Sequence, residues 1–144
     1  MPDKDLEQKL DEGLSLLRSI RPPRRRIAVA LDGGGIRLLR PDDVVYINPS
    51  AGEKDRRLNF YMADGSQHYN FAELADLERL LVDDPRFARV HKSYLVNLEY
   101  VTRITVVDGG RALHFDVLPE LTIKATDLDV LKAYFGLGSK DAAL

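Results

Sequence analysis

The chain has 144 residues, 44% hydrophobic and 31% charged, with a formal net charge of −2 and no cysteine. That length supports one domain with a real core but not two full-sized ones, and the lack of cysteine excludes disulfides and thiolate metal sites. A near-neutral total removes any global attraction to nucleic acid or anionic membranes, although a local basic patch, not the total, decides DNA binding.

The N-terminus, MPDKDLEQKLDEG, is charged and lacks the apolar stretch of a signal peptide, and no run of 18 or more apolar residues follows. A cytoplasmic protein without membrane insertion is expected. Residues 3–20 read as a helix, capped by Asp3 or Asp5, with Leu6, Leu10, Leu14, Leu17 and Ile20 on one face. Gly13 weakens it by about 1 kcal/mol relative to alanine. The prolines of "RPPRRR" stop it, because they break helical hydrogen bonding and force an extended path. Residues 1–25 thus form a helix and basic linker, 26–137 the domain body, and 138–144 a frayed tail. The unspent leucine stripe must pack on something, and a homodimer through residues 3–20 is the expected use.

From residue 26 the apolar period shifts from 3.6 toward 2. "RIAVAL", "IRLL" and "VVYI" are β-prone runs, and "DGGG" between the first two reads as a hairpin turn. "RRLNFYM" and "SQHYNF" flank "ADG", a second hairpin signal. "FAELADLERLLVD" reads as one helix with Leu74, Leu77, Leu80 and Leu81 inward, ended by "DDP". Strands "RVHKSYLVN", "VTRITVVD", "ALHFDV" and "LTIKA" follow, and "DLDVLKAYFG" closes the body as a short helix stopped by Gly136 or Gly138. The expected fold class is mainly β, with small antiparallel sheets packed together, one internal helix, a C-terminal helix and an N-terminal helical extension.

Catalytic chemistry finds no foothold. "LDGGGIR" lacks the lysine-serine/threonine pair of a phosphate loop and leads into another strand, so it is a turn. His68, His91 and His114 are too far apart in sequence for a compact metal motif. No GxSxG or HExxH occurs, and the carboxylates of "PDD" and "VDDP" occupy capping and turn positions. The chain is read as no enzyme, with no cofactor, no metal and no small-molecule substrate. The basic residues offer more. Lys54, Arg56 and Arg57 cluster in the loop "SAGEKDRR", and Arg89, His91, Lys92 and Ser93 interrupt the apolar run "FARVHKSYLVNLEYVTRI". Lys124 and Thr126 sit where the last strand meets the last helix. Each group alone reads as solvated surface. Together they suit DNA, since arginine and lysine read guanine edges or neutralise phosphates while serine and threonine add hydrogen bonds.

The run from Phe87 through Arg89, His91, Lys92, Ser93, Tyr94, Leu95 and Val96 to Asn97 closely resembles the signature of LytTR-type DNA-binding domains: F-x-R-x-H, a basic or polar residue, then serine, an aromatic and a short apolar run ending in asparagine. "ELADLERLL" looks like that family's helix and "PDDVVYI" its early strand, and the likeness covers roughly residues 26–135. The resemblance implies a bacterial two-component response regulator, a sequence-specific transcription regulator that reads direct repeats of double-stranded DNA. It would do so with loops in successive major grooves, bending the duplex. Carried over by position, it implies one reading loop at Lys54–Arg57, with Arg56 and Arg57 nearest the usual contacts. A second comprises Arg89, His91, Lys92 and Ser93, with Lys92 facing bases and Arg89 a phosphate. Tyr94 and Asn97 are assigned to folding. Two departures stand out. Ile123-Lys124-Ala125-Thr126 lacks the arginine usual at that junction, so Lys124 is left as a phosphate contact without arginine's planar fork, and the loop "NPSAGEKDRR" is longer than usual. The alternative is a non-catalytic β-rich module binding protein or peptide at a sheet edge.

Overall fold

The computed structural model describes residues 26–52 and 54–136. The expected helix at 3–20, the linker and the tail at 138–144 lie outside the described residues. The body is mainly β, as expected, with three antiparallel sheets and two short helices.

The first sheet is a hairpin of β1 (Ile27–Ala30) and β2 (Ile36–Leu39). Its "DGGG" link runs through Gly33, Gly34 and Gly35 at φ of 84°, 100° and 98°, a left-handed stretch that side-chain-bearing residues rarely enter. The central sheet holds β3 (Val44–Pro49), β4 (Leu58–Met62), β5 (Gln67–Asn70), β6 (Phe87–His91) and β7 (Tyr94–Asn97) in the order β5-β4-β3-β7-β6. The third sheet, β10-β9-β8, comprises β8 (Val101–Val107), β9 (Gly110–Phe115) and β10 (Thr122–Ala125).

Two apolar layers sandwich the central sheet. On one face the hairpin and helix α1 (Leu74–Leu80) bring Ile27, Val29, Leu39, Leu74 and Leu77 against Ile47, Phe60 and Leu95. On the other, the third sheet and helix α2 (Leu128–Phe135) bring Leu113, Phe115, Ile123 and Leu131 against Val45, Tyr46, Val90 and Val96. A strand buried on both faces must be apolar throughout, which is why "VVYI" shows little alternation. A bulge between Val44 and Tyr46 also sends Val45 and Tyr46 to the same face. Each fully buried side chain of the size of Ile47 or Phe60 contributes roughly 1.5–3 kcal/mol of hydrophobic stabilisation.

Two elements differ from the sequence reading. The internal helix is Leu74–Leu80, not the whole of "FAELADLERLLVD". Asn70 Oδ1 accepts from the Ala72 amide at 3.0 Å and holds the entry in a bend, while Leu81–Asp83 form a turn before Pro85. Leu81 still reaches the core, from that turn. "RVHKSYLVN" is two strands rather than one, folded back at Lys92–Ser93. The last helix ends as expected at Gly136, in the left-handed conformation. Where β9 passes β10, Gly110 is essential: a Cβ there would lie 2.3 Å from the Ala125 carbonyl oxygen. Among the described residues no helix is long and apolar enough to cross a membrane.

Candidate nucleic-acid interface

Strand register decides which loops share a side. β3 and β7 pair antiparallel, Tyr46 with Val96 and Ile47 with Leu95, so the end of β3 lies beside the start of β7. The β3–β4 loop, carrying Lys54, Arg56 and Arg57, and the β6–β7 turn at Lys92–Ser93 therefore leave the same end of the central sheet. β10 joins them, because the amides of Thr126 and Asp127 both donate to the Val90 carbonyl, at 2.8 and 3.0 Å.

The β6–β7 turn is held by its own side chains. His91 Nδ1 accepts from the Ser93 amide at 3.1 Å, and the imidazole ring closes the turn. Arg89 Nη2 donates to the Lys92 carbonyl at 2.6 Å, and Nη1 donates to Glu78 of α1 at 3.3 Å. The His91 ring also lies 5.5 Å from that of Tyr94, which leans toward Tyr46. With its backbone fixed this way, Lys92 is exposed at the tip. Among the described residues no carboxylate stands within ion-pair distance of its ammonium.

The β3–β4 loop is closed at its base by the Ser50 amide donating to the Arg57 carbonyl at 2.9 Å and by Asn59 Nδ2 donating to Ser50 Oγ at 2.8 Å. Arg57 is not a free cation. Its guanidinium lies 4.3 Å from the centroid of the Tyr69 ring and 3.9 Å from Asp55, a cation–π contact that orients it. Lys54 and Arg56 are exposed, without an ion pair among the described residues.

The third group divides. Thr126 lines a cleft of about 390 Å³ with Glu78, Arg89, His91, Lys92, Asp127 and Val130. Lys124 lies across from Ala112 and turns toward the β8–β9 connection, where a Cβ at Gly109 would sit 3.1 Å from its Nζ. Acidic Glu78 and Asp127 are the cleft residues that the sequence reading missed. Nothing in "ELADLERLL" distinguishes Glu78 from a solvated helix position, and Asp127 caps α2, accepting from the Asp129 and Val130 amides.

The opposite end of the sheet is built differently. Arg86 reaches Asp84 at 2.6 Å and Asp42 at 2.8 Å. The hydrogen bonds Arg86 donates to Asp84 outweigh partial burial and push the Arg86 pKa further up. Tyr100 Oη donates to the Asp42 carbonyl at 2.5 Å, and burial, with Asp43 and Asp42 nearby, raises its phenol above the usual value. Asn97 is fully buried, donating to the Val44 carbonyl at 3.0 Å and accepting from the Glu99 amide at 3.1 Å. Asp42 of "PDD" and Asp84 of "DDP" are thus ion-pair partners as well as turn residues. His68 and His114 lie on β5 and β9, each within hydrogen-bond distance of a hydroxyl, Ser66 and Thr105 respectively.

A family model described as LytTr DNA-binding domain matches residues 34–136. The chain is 26% identical over 120 residues to an uncharacterized response regulatory protein of Vibrio cholerae serotype O1, a match covering 81% of this chain and 44% of that protein. It therefore spans less than half the length of that relative. A solved LytTr DNA-binding domain from Bacillus cereus has the same fold, with a TM-score of 0.62 at 18% identity, covering 78% of this chain and 97% of that one.

Proposed function

The chain belongs to the LytTr DNA-binding domain family, and from that premise we propose that residues 26–137 are the DNA-reading part of a cytoplasmic transcription regulator in a two-component system. In this reading the domain recognises direct repeats of double-stranded DNA with the β3–β4 loop and the β6–β7 turn in successive major grooves, bending the duplex between them. The supporting observation is the common end of the sheet from which both loops leave, with Lys54, Arg56 and Lys92 exposed and without ion-pair partners among the described residues.

Roles follow from the contacts. Lys92, on a turn held by His91 and Arg89, meets base edges, while Lys54 and Arg56 enter the neighbouring groove. Arg57, oriented by Tyr69, meets phosphate, as does Lys124 from the third sheet. Ser93 and Thr126 donate hydroxyl hydrogen bonds to the backbone. Arg89 positions the Lys92 loop rather than contacting phosphate directly, because Nη1 and Nη2 are engaged within the fold. No cofactor enters this chemistry. A homodimer through residues 3–20 would present two such domains to two half-sites, and a sedimentation mass rising toward twice the monomer with concentration is the expected sign of it.

The direct test is selection of bound duplexes from a random DNA library by the purified chain at moderate salt, alongside Lys92→Ala. A repeated short motif is expected to be enriched by the native chain and not by the variant. No motif from either would favour a sheet module with a protein partner. Equal enrichment by both would remove Lys92 from base reading.

A further inference from the structure

The β1–β2 hairpin carries apolar side chains on both of its faces, with Arg37 across from Val29 on the inner one. Alternation turns Ile27, Val29 and Leu39 to the core, so Ala28, Ala30, Ile36 and Leu38 share the opposite face. Ala28 stands across from Leu38, and Ala30 from Ile36. Ile36 is 67% and Leu38 55% exposed, and Leu31 beside them is 42% exposed. Among the described residues β2 has no strand on its other side. An apolar ribbon with a free edge recruits a further segment of chain.

A segment of suitable chemistry enters from next door. Leu14, Leu17 and Ile20 recur at three-residue spacing, and residues 21–25 alone separate Ile20 from Arg26. The six steps from Ile20 to Arg26 reach roughly 22 Å at most, and two of the intervening residues are proline, which bounds how far the segment can stand from β1. The hairpin face runs about 13 Å for its four-residue strands. On a helix, Leu14 to Ile20 spans about 9 Å and fits it, whereas Leu6 to Ile20 spans about 21 Å and does not.

We infer that Leu14, Leu17 and Ile20 dock on the outer face of the hairpin of their own chain, against Ala28, Ala30, Ile36 and Leu38. Leu6 and Leu10 extend past the hairpin and remain for a second copy. The tether selects this occupant, since a short linker holds its segment at an effective concentration on the order of millimolar, above that of any separate molecule. Docking fixes the direction in which the chain enters the domain, so that residues 14–20 behave as part of it rather than as a loose connection.

The absence of cysteine makes the test clean. Leu38→Cys is combined in the full chain with Leu14→Cys, Leu17→Cys or Ile20→Cys, and each pair is oxidised mildly at submicromolar concentration. At least one pair is expected to close within the monomer, consuming both thiols. A disulfide-linked dimer would assign the face to a second copy and overturn the inference, and so would thiols that stay free in all three pairs. As a second measurement, Leu17→Asp in the otherwise native chain is expected to speed amide hydrogen exchange several-fold at residues 36–39. Unchanged exchange there would overturn it as well.

Discussion

Where β3 begins, Arg86 is closed in by Asp84 and Asp42, and Asn97 and Tyr100 satisfy the surrounding carbonyls. Where β3 finishes, Lys54, Arg56 and Lys92 stand in solvent with no carboxylate in ion-pair reach among the described residues. The two ends of one sheet use similar residue types for opposite ends. At the first, charge is paired inside the fold and ties the turn before β3 to the turn before β6. At the second, the cations have no ion-pair partner among the described residues, which is the condition the proposed release of counterions from DNA requires. Arg89 and Arg57 stand between the two cases, each held by a contact within the fold at the loop end of the sheet.

The largest effect is expected from Arg86→Ala, which strands the nearly buried Asp84 carboxylate. Removing one partner of such a pair, with Arg86 itself partly exposed, should cost about 3 kcal/mol of stability, read as a lower urea midpoint, while the DNA affinity of the molecules that remain folded is unchanged. An altered site preference would break the division of labour between the ends. Next comes Lys92→Ala, expected to leave the urea midpoint where it is and to weaken specific binding by about 1–3 kcal/mol. A fall in stability of similar size would make Lys92 a folding residue instead. The smallest effect belongs to Glu78→Gln, which removes an anion from the cleft and frees one side of Arg89. Binding to all sequences should tighten by under about 1 kcal/mol, the scale of an exposed pair, with a steeper dependence on salt. A weaker affinity would mean that the Glu78 contact is needed to hold Arg89 on the Lys92 carbonyl.

Much of this was readable from local pattern. Period-two apolar runs and glycine turns located nearly every strand, because a residue's tendency to extend or turn is set by its near neighbours. What was missed depends on partners distant in the chain. Nothing near Arg57 announces Tyr69, and nothing near Arg89 announces Glu78. The split of Lys124 from Thr126 follows from register with β9, which pairs Lys124 with Ala112. The shortened α1 reflects a bend fixed by Asn70, a side chain outside the apolar period that defined the helix.

The sequence by itself determined the β-rich class, the family motif of Phe87–Asn97 and the set of basic residues on offer, since these reside in composition, alternation and order along the chain. Only the tertiary structure decided which of those cations lack an ion-pair partner among the described residues and that two loops some 40 residues apart share one end of a sheet. The physical reason is that pairing register and ion-pair distance are properties of chain segments brought together by burial of a common core, and no local stretch contains them.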